Sequence, residues 1–170
     1  FSPSGYADPY EIIDIKEATP KVMADTDNGF YIMSRAVLAY LKPHEHMIVS
    51  YFSNYSARLG GCKISQNKLS KILKIGINDI GVFIDDLIKI GIIKYIYNEK
   101  NTKAYAVHLD NIKKLIKICA DHKLSDYGIS QLRGRLQYKN IGNLKRSEIL
   151  EVIKMCEKDK TKTNNENKTE

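Results

Sequence analysis

Apolar residues recur at spacings of three and four along three stretches of the chain, Pro43–Tyr55, Gln66–Leu73 and Asp79–Ile90. This period predicts three amphipathic helices, each with one face turned toward a core. Ser65 is a suitable N-cap for the second helix, because its hydroxyl can accept a hydrogen bond from a free N–H group. Gly91 is expected to end the third helix, since glycine readily takes a positive φ.

The connections between these helices carry turn residues, and a β-hairpin is predicted after them. Lys74–Ile77 is the predicted turn between the second and third helices, with Gly76 free to take a positive φ, and Asn78 is expected to cap the third helix. Ile92–Tyr97 and Ala104–Leu109 are rich in β-branched and aromatic residues and flank a polar connection, as in a hairpin. Helix, helix, turn, helix and hairpin is the element order of a winged helix-turn-helix.

The remaining segments extend this mainly helical fold class, in which the hairpin is the only predicted sheet. Helices are predicted at Asn111–His122, with Asp110 as N-cap, and at about Ser130–Lys139 and Lys145–Cys156. The end of the chain lacks apolar residues, which predicts disorder. The predicted domains are an N-terminal arm (1–28), a winged helix-turn-helix domain (29–110), a connecting helix (111–123), a small basic helical module (124–156) and a disordered tail (157–170).

The net charge of +7 is concentrated toward the C-terminal half of the chain. Residues 1–60 carry five basic and seven acidic side chains, and residues 61–110 carry eight and five. Residues 111–160 carry twelve basic and six acidic side chains. A polyanionic partner is therefore expected to bind the second half of the chain.

Several function classes find no support in the sequence. No apolar run reaches the roughly 20 residues that span a bilayer, and no secretory signal opens the chain, so a cytoplasmic protein without membrane contact is expected. Three widely separated cysteines predict free thiols, with no metal site. No nucleotide-binding, hydrolase or metalloprotease motif occurs, and the four histidines form no catalytic constellation. We expect a protein that is not an enzyme and has no cofactor.

Two segments resemble known DNA-binding families. "LKPHEHMIVSYF" and "GGCKISQNKLSKILKIGINDIGVFIDDLIKIGIIKYI", with the hairpin after them, make Leu41–Leu109 similar to winged helix-turn-helix domains of plasmid and phage replication initiators and regulators. "SDYGISQLRGRLQYKNIGNLKRSEILEVIKMC" at Ser125–Cys156 resembles a SAP motif, a two-helix DNA-binding module. The glycine that usually opens the second SAP helix is absent, and the family's lysine is displaced to Lys145 or Arg146. These resemblances identify the fold better than they identify the DNA site that is bound or the partner.

The charges of the predicted helix-turn-helix conflict with ordinary groove reading. The second helix of the pair enters the major groove in this fold, yet its outward positions include Asp79, Asp85 and Asp86. These carboxylates would repel phosphates, so they are candidates for binding a protein partner. For Asp85 and Asp86 the alternatives are solvent exposure or pairing with Lys89 at helical spacing. The preceding helix, the hairpin and the small C-terminal module are basic. The candidate DNA-binding residues are Lys63, Ser65, Gln66, Asn67, Lys68, Lys71, Lys74, Asn78, Lys100, Lys103, Arg133, Arg135, Lys139, Lys145 and Arg146.

The sequence thus supports two hypotheses of different classes. The first is a double-stranded DNA-binding protein in plasmid or phage maintenance, through replication, partition, transfer or transcription control. The second is a winged-helix interaction module whose acidic third helix docks a protein partner or a second copy of the chain. A homodimer is compatible with the apolar and aromatic surface of Ser34–Tyr55, although nothing in the sequence requires one.

Overall fold

The computed structural model describes residues 34–55, 60–97 and 103–159, without the side chains of Tyr97 and Lys103. This part of the chain is mainly helical with one two-stranded antiparallel sheet, as predicted. The predicted arm and residues 160–170 of the predicted tail lie outside the described residues. No helix within the three ranges is long and apolar enough to cross a bilayer. The helices are α1 (Arg35–Tyr40), α2 (Pro43–Ser53), α3 (Gln66–Leu73), α4 (Ile77–Lys89), α5 (Leu109–Asp121), α6 (Asp126–Leu136) and α7 (Arg146–Ile153); the strands are β1 (Ile93–Tyr97) and β2 (Lys103–Val107).

Helix α4 lies at the centre of the core. Its side chains Ile80, Ile84 and Leu87 are completely buried, and their spacing of four and three puts them on one face. This face packs against α2, where Ile48 and Phe52 are also completely buried, and the helix further contacts α3 and β1. Burial of each such side chain contributes roughly 1.5–3 kcal/mol, so the packing of α4 against α2 and α3 stabilises this part of the fold.

The hairpin β1–β2 pairs from Ile93 with Val107 to Tyr97 with Lys103. A short segment after α2 joins the edge of the hairpin, because the N–H group of Cys62 donates to the Tyr105 carbonyl (2.8 Å) and the N–H group of Tyr105 donates to the Cys62 carbonyl (2.9 Å). The described elements therefore follow the predicted order of helix, helix, turn, helix and hairpin.

The C-terminal segments are built onto the end of α4. The side-chain amide of Asn111 donates to the Gly91 carbonyl (2.8 Å), and the N–H of Ile141 donates to the Ile90 carbonyl (3.0 Å). Gly91 ends α4 with a φ of +84°, as predicted, and a Cβ at this position would overlap the side chains of Asn111 and Asn140. Buried side chains of α6 and α7 belong to the same hydrophobic cluster as those of α1–α5.

The two helices predicted near the C-terminus are present with shifted bounds. α6 begins at Asp126 rather than near residue 130, because the hydroxyl of Ser125 accepts a hydrogen bond from the N–H of Gly128 (2.9 Å) and caps the helix. α7 ends at Ile153, three residues before the predicted end at Cys156. A 3-10 turn at residues 141–143 precedes α7.

The first residues of the predicted disordered tail are part of the fold. The N–H of Ser125 donates to the Glu157 carbonyl (3.3 Å), and the N–H of Glu157 donates to the side-chain oxygen of Gln131 (2.8 Å). Leu124 and Lys158 form an isolated antiparallel bridge. The prediction of disorder is therefore wrong for residues 157–159, whose backbone is hydrogen-bonded to the start of α6.

The three cysteines are buried free thiols. Burial raises the pKa of Cys62 to about 11 and that of Cys119 to about 12. These groups are protonated at neutral pH and are poor nucleophiles and poor metal ligands. Within the described ranges no group of three or more His, Cys, Asp or Glu side chains could hold a metal ion.

Helix α5 begins after His108 and not after Asp110, the predicted N-cap. The Nδ1 atom of His108 accepts a hydrogen bond from the N–H of Asn111 (3.4 Å). Burial and the nearby charge of Lys94 lower the pKa of His108 from its ordinary value of 6.5. Protonation would also remove the acceptor that caps the helix.

We expect the free energy of unfolding to fall as the pH decreases below 6.5, because the unfolded chain then binds the His108 proton more readily than the folded one. Asparagine keeps a capping oxygen and does not titrate. Urea unfolding of the natural chain and His108→Asn at pH 7.5 and 5.5 should show a smaller pH-dependent loss in the variant. An equal loss in both proteins would contradict this assignment.

Candidate nucleic-acid interface

Four lysines in and beside α3 are exposed, and together they are here named the α3 lysine surface: Lys63, Lys68, Lys71 and Lys74. Leu69 is completely buried on the inner face of α3, while the lysines of the helix are exposed. No acidic residue occurs between Gly61 and Asn78 in the sequence. None of the four lysines forms a salt bridge with another described residue, so their charges are available to an anion.

The turn after α3 presents Lys74 at its corner. Lys74 adopts the left-handed conformation (φ 57°, ψ 41°), whereas Gly76 has a φ of −53°. The residue of the turn with a positive φ is therefore Lys74, although the glycine at position 76 was free to take that conformation. Ile75 is buried below the turn, and the hydroxyl of Ser70 donates to its carbonyl. These contacts fix the turn in a conformation that is uncommon for a residue with a Cβ.

The predicted polar contacts of α3 have different local roles. The hydroxyl of Ser65 accepts a hydrogen bond from the N–H of Lys68 (3.1 Å), which confirms it as the N-cap. Gln66 is partly buried against α4, where a Cβ at Gly81 would lie 3.1 Å from its side-chain oxygen. Asn67 is exposed. Of Ser65, Gln66 and Asn67, it is therefore Asn67 whose side chain is exposed and is not used in a contact within the described part of the chain.

Helix α4 begins at Ile77 without a side-chain cap. Asn78, the predicted N-cap, lies exposed inside the first turn. The carboxylate of Asp79 lies beside the start of the helix, since a Cβ at Gly76 would be 3.3 Å from its Oδ2 atom. A carboxylate in the first turn stabilises the helix through the macrodipole. Asp79 thus has a local role, and it makes this helix end a poor phosphate site.

The remaining two carboxylates of α4 face different ways. Asp86 is 9% exposed, and its charge acts on the nearby Arg133. Asp85 is exposed and has no salt-bridge partner in the described part of the chain. Lys89 lies over the ring of Tyr138 (5.6 Å). The prediction that all three carboxylates of α4 face a partner is therefore corrected for Asp86, which faces the protein's own α6.

Arg133 belongs to the core and not to a DNA-binding surface. Its guanidinium donates to both carboxylate oxygens of Glu45 (2.9 and 3.0 Å) and to the Tyr40 carbonyl (3.1 Å). Glu45 is completely buried and Arg133 is 8% exposed. Burial lowers the pKa of Arg133, but the hydrogen bonds and charge of Glu45 raise it overall. The prediction that Arg133 contacts DNA is corrected, because a phosphate cannot reach it.

The other predicted basic residues of the C-terminal segment are exposed but not clustered with Arg133. Arg135 is exposed on α6. The ammonium of Lys139 lies 3.7 Å from the Glu148 carboxylate, which also accepts the N–H of Lys145 (3.4 Å). Lys145 and Arg146 are exposed at the start of α7. A carboxylate therefore already occupies this helix N-terminus, and DNA contacts by these four residues stay predictions.

Two predicted contacts belong to the hairpin tip. Lys100 lies outside the described residues. Lys103 opens β2, where its backbone pairs with Tyr97, and its side chain lies outside the described part of the chain. The contacts of Lys100 and Lys103 with DNA therefore stay predictions.

Sequence reasoning missed a groove between α5 and α7 of about 560 Å³. We name it the α5–α7 groove and define it by Lys117, Ile118, Leu144, Arg146, Ile149 and Leu150. The sequence contains one indication of this groove, since Lys114 and Lys117 of α5 lie at helical spacing beside the apolar Ile118. That pattern does not show which helix packs beside them.

The surface predicted to support a homodimer is partly apolar. Leu38 on α1, Met47 on α2 and Tyr55 after it are 40–51% exposed. These residues lie within Ser34–Tyr55, and dimerisation through them stays a prediction.

Comparisons of the chain with protein-family models, with curated proteins and with solved structures give no match.

Proposed function

We propose that this chain is a non-enzymatic protein that binds double-stranded DNA through the α3 lysine surface. The observation that carries the proposal is the group of four exposed lysines in and beside the well-packed helix α3, with no acidic residue between Gly61 and Asn78 in the sequence. Lysines act on phosphates as point charges and release counterions from the duplex. Such contacts position a protein on DNA and supply affinity without sequence information.

The element order supports a winged helix-turn-helix as the fold behind this function. α3 and α4 would be the helix-turn-helix pair, and β1–β2 would be the wing, with the Cys62–Tyr105 bridge as a third short strand. In this geometry the second helix of the pair lies toward the major groove. The inward position of Asp86 removes one of the three negative charges that the sequence had put on that face.

Base readout is expected to be weak. Arginine, glutamine and asparagine are side chains that make paired hydrogen bonds to purine bases. The exposed side of α4 has Asn78 and Asp85 but no arginine or glutamine. We therefore propose binding that depends mainly on the duplex backbone. A role in plasmid or phage maintenance is part of the proposal on the strength of the sequence resemblance.

Fluorescence anisotropy with a labelled 20-base-pair duplex tests the proposal. Four lysine–phosphate contacts predict that log affinity falls with log salt concentration with a slope of about −3.6. Affinity should then fall about a hundredfold between about 50 and 200 mM salt. Absence of binding at the lower salt concentration would refute the proposal.

The alternative, docking of a protein or a second copy on α4, is favoured by one observation. Val82 is 57% exposed beside the exposed Asp85. Asp85→Ala separates the two hypotheses, because it should preserve or strengthen duplex binding but weaken a protein complex or a dimer. Asp86 should be left unchanged in this test, since its replacement would disturb the surroundings of Arg133.

A further inference from the structure

We propose that the α5–α7 groove binds an acidic amphipathic helix of a partner protein. This site goes beyond DNA binding and uses no residue of the α3 lysine surface. An amphipathic helix binds a groove by burying apolar side chains at spacings of three and four residues. The groove has the three properties that such a ligand needs, namely an apolar floor, a preformed wall and cations on both sides.

The floor of the groove is apolar and reaches the surface. Ile118 and Leu144 are buried at its base, and Ile149 is partly buried. Leu150 is 40% exposed on α7. Apolar side chains of a ligand would cover Leu150 and replace water above the floor, which is favourable in proportion to the apolar area removed from solvent.

The loop that forms one wall is fixed before any ligand binds. The ammonium of Lys114 donates to the carbonyls of Gly142 (3.3 Å) and Leu144 (2.9 Å). These hydrogen bonds tie the segment before α7 to α5. A wall that is already ordered reduces the entropy lost on binding.

The charges beside the floor select an acidic ligand. Lys117 on α5 and Arg146 on α7 are both exposed and lie on opposite walls. Lys117 is 3.6 Å from Asp121, and both side chains of this pair are more than half exposed. Such a surface pair is worth little and can be exchanged for a ligand carboxylate. Lys114, Lys117 and Arg146 against Asp121 leave the groove with an excess of positive charge.

A DNA duplex is the less suitable occupant. Its accessible backbone is charged, so it has no use for a floor of isoleucine and leucine side chains. A groove of about 560 Å³ accommodates a few side chains of a peptide but not a double helix. We therefore assign Arg146 to peptide binding, in place of its predicted contact with DNA.

The test uses a fluorescein-labelled synthetic 18-residue peptide with Leu at positions spaced three and four apart and Glu elsewhere. A matched peptide carries Lys in place of every Glu. Anisotropy with the full chain should show binding of the Glu peptide and at least about tenfold weaker binding of the Lys peptide. Leu150→Ser and Arg146→Glu should each weaken binding of the Glu peptide about tenfold. Lys94→Glu, an exposed change on β1, is the control and should have little effect.

Several results would overturn the proposal. The first is failure of the Glu peptide to bind, and the second is equal binding of both peptides. Another is unchanged binding by Leu150→Ser, and the last is displacement of the Glu peptide by the 20-base-pair duplex. Replacement of Lys68 and Lys71 by alanine should weaken duplex binding and leave peptide binding unchanged. This pair of readouts distinguishes a failure of the peptide site from a failure of the proposed DNA-binding function.

Discussion

Replacement of Arg133 by alanine is expected to lower the free energy of unfolding by about 3–5 kcal/mol, because the Glu45 carboxylate would stay buried without its partner. The loss is large against the roughly 5–15 kcal/mol by which folded domains are stable. Urea unfolding followed by circular dichroism at 25 °C measures it. Duplex affinity of the folded fraction should be unchanged, since Arg133 is not accessible to a phosphate.

Two variants make this expectation specific. Arg135→Ala removes an exposed arginine two positions away and should change stability by less than about 0.5 kcal/mol. Glu45→Met combined with Arg133→Met removes both charges and should recover much of the lost stability. A stable Arg133→Ala protein with weakened duplex binding would show that Arg133 contacts DNA and would contradict its assignment to the core.

Replacement of both Lys68 and Lys71 by alanine is expected to weaken duplex binding about tenfold at 100 mM salt and to reduce the magnitude of the salt slope by about 2. Both side chains are exposed on α3 and form no salt bridge with a described residue. Alanine favours the helix, so the fold should be retained. Anisotropy titrations over a series of salt concentrations give both quantities.

The matched control removes the same charge elsewhere. Lys154→Ala with Lys158→Ala takes two exposed lysines from the segment after α7, and the salt slope should change by much less than in the α3 variant. An equal effect of the two double variants would mean that overall charge, and not the α3 lysine surface, determines binding.

The sequence predicted those features of the fold that depend on local periodicity. Ile80, Ile84 and Leu87 define the buried face of α4 by their spacing alone. The cap of α3 at Ser65 was also predicted, because only one good N-cap precedes that helix. The predicted N-cap of α5, Asp110, was wrong because more than one residue could cap this helix. The contact of His108 with the N–H group of Asn111 makes His108 the N-cap.

The corrected site residues depend on contacts between distant parts of the chain. Arg133 and Glu45 are 88 residues apart, so the sequence could not show that they pair. Arg133 does share the helical spacing of the buried Ile129 and Leu136, which Arg135 does not. Asp86 is one residue from the exposed Asp85 but lies four residues before the buried Ile90, at the edge of the apolar face of α4, where it is close to Arg133. A charged residue is predicted to be exposed unless a partner is known. For Arg133 that partner is Glu45, which is distant in the sequence.

The two surfaces now have separate proposed roles. Phosphate contacts are concentrated on the α3 lysine surface, while the α5–α7 groove offers an apolar floor to a peptide. The conflict between the proposed DNA binding and the acidic helix α4 is reduced by one charge, that of Asp86. Asp86 faces the core, whereas Asp79 beside the start of α4 and Asp85 are both exposed, so two of the three carboxylates of that helix are left to face a ligand.

The most direct test of the central claim is a titration of the ¹⁵N-labelled chain with an unlabelled 20-base-pair duplex at about 50 mM salt, followed by amide chemical shifts. The largest shifts should occur between Lys63 and Asn78, with smaller changes at the residues of the α5–α7 groove. Shifts confined to α5–α7, or no shifts at saturating duplex, would contradict the claim that this protein binds DNA through the α3 lysine surface.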